Sequence, residues 1–166
     1  WEGRPLFLVG PALSFFRAVT DNDRAQGVRH QWEGPDLKHF TSKLLGFSAE
    51  RDGDAVRLVT GHRLLPPNQR RGYECRYEYL IHPDGSLELT VLGDPIGEWS
   101  DQDILLRIGL DLILPGSLDQ VTWYGLGPGE SYPDTWEAQR MGLWRSDVDG
   151  LSTPYVYPQE NGTRSR

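Results

Sequence analysis

The densest group of reactive side chains lies between Arg17 and Asp23, where an arginine, two carboxylates and an amide occur within seven residues. Aspartate and asparagine side chains bond to nearby backbone groups, so the stretch could be a structural turn that follows a strand. It could also be a polar loop that faces a ligand or a cation, because carboxylate and amide oxygens suit hard cations. The spacing differs from that of the twelve-residue calcium loop. Both interpretations stay open at this point.

A second candidate is the glycine-rich run from Gly125 to Glu130, which is similar in composition to a phosphate-binding loop. It lacks the Gly-Lys-Ser/Thr ending of that loop, and no clear helical pattern follows it. We therefore interpret the run as a glycine-rich corner of the backbone and not as a nucleotide cradle.

The remaining catalytic residue types form no recognisable set. The histidines lack metal-ligand spacing and are predicted at surface or turn positions, and no Gly-x-Ser-x-Gly elbow occurs. The 24 acidic residues could include the carboxylate pair of a glycoside hydrolase, but the sequence does not show which of them face each other. We predict no catalytic residue and no metal site in this chain. The four histidines are His30, His39, His62 and His82.

Cys75 is the single cysteine, which excludes a disulfide framework and a zinc site built on cysteines. It lies on the same side of an alternating run as several tyrosines, so a buried structural thiol is favoured over a nucleophile. A lone thiol is compatible with a reducing compartment, and we expect a cytoplasmic location.

Strands are the elements that must position these groups, because the dominant hydrophobic period is two. Every even position from Ile104 to Leu114 is apolar, and the run from Tyr73 to Ile81 alternates in the same way. These two segments should therefore each place one face on a core. The residues predicted to be largely buried are Tyr73, Tyr77, Tyr79, Leu106, Ile108, Leu110 and Leu112.

Turn signals join the predicted strands into hairpins. Strands at 43–51 and 55–64 flank Asp52-Gly-Asp54, and strands at 73–81 and 87–91 flank His82-Pro-Asp-Gly-Ser86. Shorter strands are predicted at 121–124, 6–9 and 13–17, and short helical turns at 34–40 and 131–140. Eight to ten strands joined in this way predict an all-β fold, an antiparallel two-sheet β-sandwich. The period fades after Gly125, so residues 125–166 are predicted to form an extended segment that lies on other structure.

The composition limits the class of protein. The 166 residues fit one domain, and a net charge of −7 argues against non-specific nucleic-acid binding. No apolar run approaches the ~20 residues of a membrane-spanning helix, so we expect no membrane association. The chain begins at Trp1 and its only methionine is Met141, so we expect it to derive from a longer polypeptide.

Three segments together carry a resemblance to a known family. The run Arg17-Ala-Val-Thr-Asp-Asn-Asp23 resembles the Arg-Ala-Pro-Thr-Asp-Asn-Asp stretch that opens the last domain of long bacterial β-galactosidases, in glycoside hydrolase family 2. The corner from Trp123 to Asp134 and the segment Thr153-Pro-Tyr-Val-Tyr-Pro-Gln-Glu-Asn-Gly162 resemble two later motifs of the same domain, in the same order. Val19 stands where the family usually has proline, and Thr135 where it usually has arginine.

The resemblance implies a β-sandwich similar to galactose mutarotase, of which residues 1–166 would be a single partial domain, the N-terminal part. In the family this domain follows a TIM barrel that carries both catalytic glutamates and hydrolyses β-galactosides, with magnesium and often sodium as helpers. We therefore expect neither catalytic carboxylate nor a cofactor in this chain, and a β-galactoside bound through the barrel. A partial sandwich would expose strand edges, which predicts self-association.

The resemblance also implies roles for particular residues. The turn is expected at the edge of the active site, and residues 24–30 are expected to form either a lid over the galactoside or a plain surface turn. The edge candidates are Arg17, Asp21, Asn22, Asp23 and Arg24. The residues expected to build the structural motif are Gly125, Gly127, Pro128, Glu130, Tyr132, Asp134, Pro158, Glu160 and Asn161.

Two other functions stay open. One is an independent carbohydrate-binding or mutarotase-like module, since tryptophans such as Trp123, Trp136 and Trp144 could stack on a sugar or pack in a core. An epimerase of this fold would need a histidine base and a glutamate acid that face each other across the sandwich. The other function is a purely structural spacer.

Overall fold

The computed structural model describes residues 3–25, 36–101 and 103–165, and within them the chain is almost entirely β. The sheets are antiparallel, which confirms the predicted fold class. The only α-helix in these ranges is one short turn of helix, α1 (Asp21–Ala25), and single 3₁₀ turns occur at Leu37–His39, Trp136–Ala138 and Asp149–Leu151. The strands are β1 (Val9–Ser14), β2 (Thr41–Asp52), β3 (Ala55–Leu65), β4 (Gly72–Ile81), β5 (Leu87–Ile96), β6 (Gly109–Ile113), β7 (Gln120–Gly127) and β8 (Arg140–Asp147).

The strands form one larger sheet and two small ones. The order β2-β3-β4-β5 makes a four-stranded sheet, while β1 pairs with β6 and β7 pairs with β8. The chain divides into two compact units: of the described residues, 3–4, 11–17 and 36–111 belong to the first, and 5–10, 18–25 and 112–165 to the second. Within the described residues, no helix is long and apolar enough to cross a membrane.

Both predicted hairpins of the four-stranded sheet are confirmed. The β2–β3 turn passes through Gly53 at φ 62° and the β4–β5 turn through Gly85 at φ 87°, and this left-handed region suits glycine because it lacks a Cβ. Antiparallel pairing begins at Asp52↔Ala55 and at Ile81↔Leu87, and it is continuous in β4–β5, whereas the β2–β3 register shifts once between Leu44 and Gly46.

The two faces of this sheet differ in chemistry. One face carries ion pairs, among them Arg57 with Asp52 and Glu78, and Arg63 with Glu74. Pairing places Leu64 opposite Tyr73 on the other face, which is apolar.

Aromatic side chains cover part of that apolar face. The ring of Phe15 stacks on Tyr73 at 4.4 Å and lies 5.2 Å from the ring of Phe40, while the Leu13 N–H donates to the Tyr77 hydroxyl at 2.8 Å. Tyr77 is buried as predicted, and Tyr73 and Tyr79 are half-buried. The core of the first unit therefore lies where residues 13–15 meet β3 and β4.

Cys75 is free and buried in β4, as predicted for a structural thiol. Burial raises its pKa to about 11, so the thiol stays protonated at neutral pH. A protonated buried thiol is a poor nucleophile, which agrees with a packing role.

The burial predicted for the run from Ile104 to Leu114 is wrong. Only Gly109–Ile113 is a strand, and exposed fractions are 72% for Ile108, 39% for Leu110 and 43% for Leu112, while Leu106 is half-buried. The physical reason is that β6 belongs to a two-stranded sheet, and a two-stranded ribbon cannot bury a face by itself.

The structure also differs from the prediction after Gly125. Residues 131–140 contain only the 3₁₀ turn Trp136–Ala138, and the unpredicted strand β8 follows and pairs with β7 in the register Trp123↔Trp144. Alternation does not reveal β8, because its less exposed positions include Gly142 and Ser146 while the apolar Met141 and Leu143 are exposed. Elsewhere, β1 joins parts of the two weak strands predicted at 6–9 and 13–17, and the predicted turn at 34–40 contains Leu37–His39, with residues 34 and 35 outside the described ranges.

Candidate functional site

The acidic stretch after Arg17 begins a single helical turn with reciprocal side-chain caps. The Thr20 N–H donates to the Asp23 carboxylate at 2.7 Å, and the Asp23 N–H donates to the Thr20 hydroxyl at 3.2 Å. This is the geometry of a capping box, in which two end groups of a helix satisfy each other. The Thr-x-x-Asp spacing was the signal for it in the sequence. The predicted structural turn is thus present, as the single helical turn α1.

The Arg24 side chain and the Asp21 backbone connect α1 to the late motif. Arg24 donates to the Asp21 carboxylate at 2.9 Å and, through its other terminal nitrogen, to the Pro158 carbonyl at 2.6 Å. The Asp21 N–H donates to the Gln159 side-chain oxygen at 2.9 Å. Asn22 is exposed.

Backbone contacts extend this connection to the residues just before α1. The Ala18 N–H donates to the Glu160 carboxylate at 3.0 Å, and the Glu160 N–H donates to the Val19 carbonyl at 3.2 Å. Residues 158–160 therefore lie directly against residues 18–24, although more than a hundred residues separate them in the chain. We call this contact the turn-docking contact. The separation in sequence explains why spacing alone could not reveal it.

Glu130 anchors the same late segment from the opposite end. Its side chain is 6% exposed, and it accepts hydrogen bonds from the Tyr155 hydroxyl at 2.5 Å and from the Gly162 N–H. The bond to Glu130 is the main reason that the pKa of Tyr155 rises to about 12. Gly162 has φ 88°, a left-handed conformation that allows its N–H to face the carboxylate without the strain a Cβ would bring.

Residues 163–165 continue along the glycine-rich corner. The Ser131 N–H donates to the Thr163 carbonyl at 3.0 Å, the Ser165 N–H to the Ser131 hydroxyl at 2.7 Å, and the Leu126 N–H to the Ser165 carbonyl at 2.8 Å. Ser131 is 5% exposed, so its polar groups are satisfied within the protein. The corner and the late segment thus form one hydrogen-bonded assembly.

Close packing explains why the corner is rich in glycine. A Cβ at Gly127 would lie 2.6 Å from the Trp144 ring, and a Cβ at Gly125 would lie 2.6 Å from the Ser165 carbonyl oxygen. The Trp144 indole N–H donates to the Gly125 carbonyl at 3.2 Å, which holds the ring over the glycines. The glycines therefore make room for an indole and a neighbouring backbone.

Thr135 closes the corner, at the position where the resemblance implies an arginine. Its hydroxyl donates to the Glu130 carbonyl at 3.1 Å and accepts from the Tyr132 N–H at 3.1 Å. Tyr132 is half-buried, and this burial raises the pKa of its phenol. The corner therefore keeps a local anchor without the charge of an arginine.

The predicted site residues are only partly brought together. Glu130, Pro158, Glu160, Asp21 and Arg24 form one continuous network in the second unit. Pro128, Asp134 and Asn161 are exposed, and Arg17 belongs to the first unit. Residues 26–30 of the expected lid lie outside the described residues, so the lid stays a prediction. The network members that the sequence interpretation had given no role are Thr20, Ser131, Tyr155, Gln159 and Gly162.

The described histidines have separate local partners. His39 bonds to Asp36 at 2.6 Å and His82 to Glu88 at 2.8 Å, both near turns as predicted. His62 differs, because it is half-buried within β3, where burial lowers its pKa. His30 lies outside the described residues.

The carboxylates of the turn already have protein partners. Asp21 binds Arg24, and Asp23 caps the Thr20 N–H, so neither belongs to an open set of oxygen ligands. Among the described residues, no three His, Cys, Asp or Glu side chains are placed to hold a metal ion together. The described residues therefore offer no ligand set for the magnesium that the family resemblance implies for the whole enzyme.

Comparison with known proteins identifies one family. The model of the β-galactosidase small chain matches residues 1–166. The chain is 35% identical to a β-galactosidase of Leuconostoc mesenteroides over 163 residues, which cover 91% of this chain and 15% of that protein. It is 34% identical to a β-galactosidase of Lactobacillus delbrueckii, covering 100% of this chain and 16% of that protein. It is 31% identical to a β-galactosidase of Vibrio cholerae, covering 99% of this chain and 17% of that protein.

Proposed function

This chain belongs to the β-galactosidase small chain family, and we propose that it is a non-catalytic part of a β-galactosidase that flanks an active site carried elsewhere in the polypeptide. The observation that supports this most is the match over residues 1–166, combined with a span of only 15–17% of the curated relatives. A segment of that size represents a small part of each relative.

The geometry supports a positioning role for this part. Residues of all three motifs that carry the family resemblance meet in the second unit, where hydrogen bonds join the corner, the late segment and residues 18–24. Hydrogen bonds fix the orientation of the Asp21–Ala25 helix through its own backbone as well as through side chains. Such a rigid polar turn is suited to border a binding site whose chemistry is supplied by other residues.

The reaction of the whole enzyme is part of the same proposal. A retaining β-galactosidase uses one carboxylate as nucleophile and a second as acid and base, about 5–5.5 Å apart. Both would lie in a TIM barrel outside this chain, and magnesium would be held there as well. A cytoplasmic location completes the proposal, supported by the free thiol of Cys75.

A chromogenic β-galactoside distinguishes this role from catalysis by the chain itself. We expect hydrolysis by the longer polypeptide that contains residues 1–166 and none by the isolated chain. Turnover by the isolated chain that disappears when one of its own acids is replaced would contradict the proposal. A change of tryptophan fluorescence with added galactose in the isolated chain would instead favour an independent sugar-binding module.

The role of the turn is tested in the longer polypeptide. Asp23→Ala removes the cap of the Thr20 N–H and should change kcat or KM, because the turn would no longer hold one orientation. Glu137→Gln, an exposed carboxylate in the 3₁₀ turn of the same unit, is the control. Equal kinetics for both variants would show that the turn has only a structural role.

A further inference from the structure

The path from Glu130 to α1 lies within the second unit and combines two sets of hydrogen bonds with the chain segment 155–162 that connects them. Glu130 holds Gly162 and Tyr155, which lie on either side of residues 158–160 in the chain. Residues 158–160 then make the four hydrogen bonds of the turn-docking contact, to Ala18, Val19, Asp21 and Arg24. Residues 155–162 therefore form a loop that Glu130 holds at both ends, and residues 158–160 in its middle contact the turn.

We propose that Glu130 is a positioning residue, whose buried carboxylate closes this loop and thereby sets the orientation of the Asp21–Ala25 turn. The role at an active-site edge rests on the proposed function, whereas the coupling between Glu130 and the turn does not. No described contact joins Glu130 to the turn directly, so its effect passes through residues 155–162.

Burial explains why one carboxylate can hold the loop. A buried carboxylate is costly unless donors surround it, so the native arrangement favours the loop conformation that presents both the Tyr155 hydroxyl and the Gly162 N–H. A neutral amide at the same place has only one acceptor oxygen, so it cannot accept both bonds in the same way. Replacing Glu130 by glutamine should therefore release one end of the loop.

The Tyr155 bond offers an independent way to release the loop. Tyr155→Phe keeps the ring and removes only the hydroxyl that donates to Glu130. If the loop is a single coupled element, both variants should loosen residues 18–24, and their combination should add little to either one alone. Glu137→Gln again changes an exposed carboxylate of the same unit and should have no effect.

Amide hydrogen exchange of residues 1–166 within the longer polypeptide measures the coupling directly. In Glu130→Gln and in Tyr155→Phe we expect protection at the Ala18, Asp21 and Glu160 amides to fall by about tenfold or more, the size of one lost hydrogen bond to a charged group. Protection in β3 and β4 should stay unchanged. Loss confined to the Gly162 amide, with Ala18 and Asp21 as in the wild type, would overturn the proposal. If Glu130→Gln also lowers the protection of amides in β7 and β8, the proposal is tested with Tyr155→Phe alone. Protection at Ala18 and Asp21 as in the wild type would then overturn it.

Kinetics of the longer polypeptide then test the consequence for activity. Glu130→Gln should lower kcat/KM by about tenfold, since misplacing a group at the edge of a site weakens transition-state contacts. Leu64→Ala, in the core of the first unit, is the stability control: it should lower Tm without changing kcat/KM. An equal loss of kcat/KM in Glu130→Gln and Leu64→Ala would show that Glu130 contributes only to stability. Absence of galactosidase activity in the wild type would overturn the proposed function while leaving the exchange result to decide the coupling.

Discussion

At the scale of residues, the buried carboxylate of Glu130 orders its neighbours through hydrogen bonds. A carboxylate that is 6% exposed loses most of its hydration, and hydrogen bonds from Tyr155 and Gly162 compensate for that loss. The same bond acts on Tyr155, because a phenol that donates to a carboxylate resists losing its proton. The pKa of Tyr155 therefore indicates whether its hydrogen bond to Glu130 is present.

The pKa of Tyr155 should fall from about 12 toward 10 in Glu130→Gln. Because the folded-state pKa lies above the unfolded value, the contribution of this bond to stability is complete below pH 10 and is lost as pH rises from about 10 to about 12. Chemical shifts of the Tyr155 ring against pH measure the change, with Glu137→Gln as the control. Identical titration of Tyr155 in wild type and Glu130→Gln would contradict the hydrogen bond.

At the scale of elements, the β7–β8 hairpin depends on glycine more than on apolar side chains. The indole of Trp144 lies across Gly127 and Gly142, so a flat aromatic ring fills the space where two side chains would stand. Two hydrogen bonds from the indole N–H, to the carbonyls of Gly125 and Arg140, fix the ring in that position. The hairpin is therefore sensitive to a single added methyl group.

Gly127→Ala should destabilise the second unit by about 1–3 kcal/mol, because its Cβ would overlap the Trp144 ring. Gly116→Ala, in the same unit, is the matched control, since no atom lies within 4 Å of the added Cβ. Urea denaturation followed by tryptophan fluorescence compares the two variants. Equal urea midpoints for Gly127→Ala and Gly116→Ala would contradict the prediction, because the Trp144 indole would then make room for the Cβ without loss of stability.

At the scale of the whole molecule, the described residues include an exposed edge strand. Every residue of β2 is exposed, and Phe47 on its apolar face is 73% exposed. On the same face of the sheet, Val56 of β3 and Ile81 of β4 are 46% and 41% exposed. Exposed edge strands with apolar residues favour association with another chain.

We expect the 166-residue chain to self-associate through this face, and Phe47→Lys to reduce the association. The lysine adds a charge where the wild type offers an apolar ring, and a desolvated charge opposes contact. Ser48→Lys places the same charge on the opposite, polar face of β2 and is the matched control. Sedimentation at increasing protein concentration measures the mass. A monodisperse wild-type monomer would contradict the prediction, as would equal effects of the two lysines.

The sequence by itself determined the fold class, the two large hairpins and the family motifs. Alternation of apolar and polar residues is a local property, and Gly53 and Gly85 mark their turns because few other residues adopt a positive φ. Cys75 could be interpreted correctly for the same reason, since its neighbours in the strand show which side it occupies. Local pattern failed for Leu110 and Leu112 of β6, whose burial requires a partner layer that a two-stranded sheet does not provide.

Only the tertiary structure decided how the motifs act together. The contact of Glu160 with Ala18, and the burial of Glu130 between Tyr155 and Gly162, depend on the paths of chain segments far apart in sequence. A hydrogen bond needs a donor and an acceptor within about 3 Å, and composition carries no information on which distant atoms reach that distance. The sequence named the acidic turn and the late motif as separate features, and their common hydrogen-bond network emerged only when folding brought them into contact.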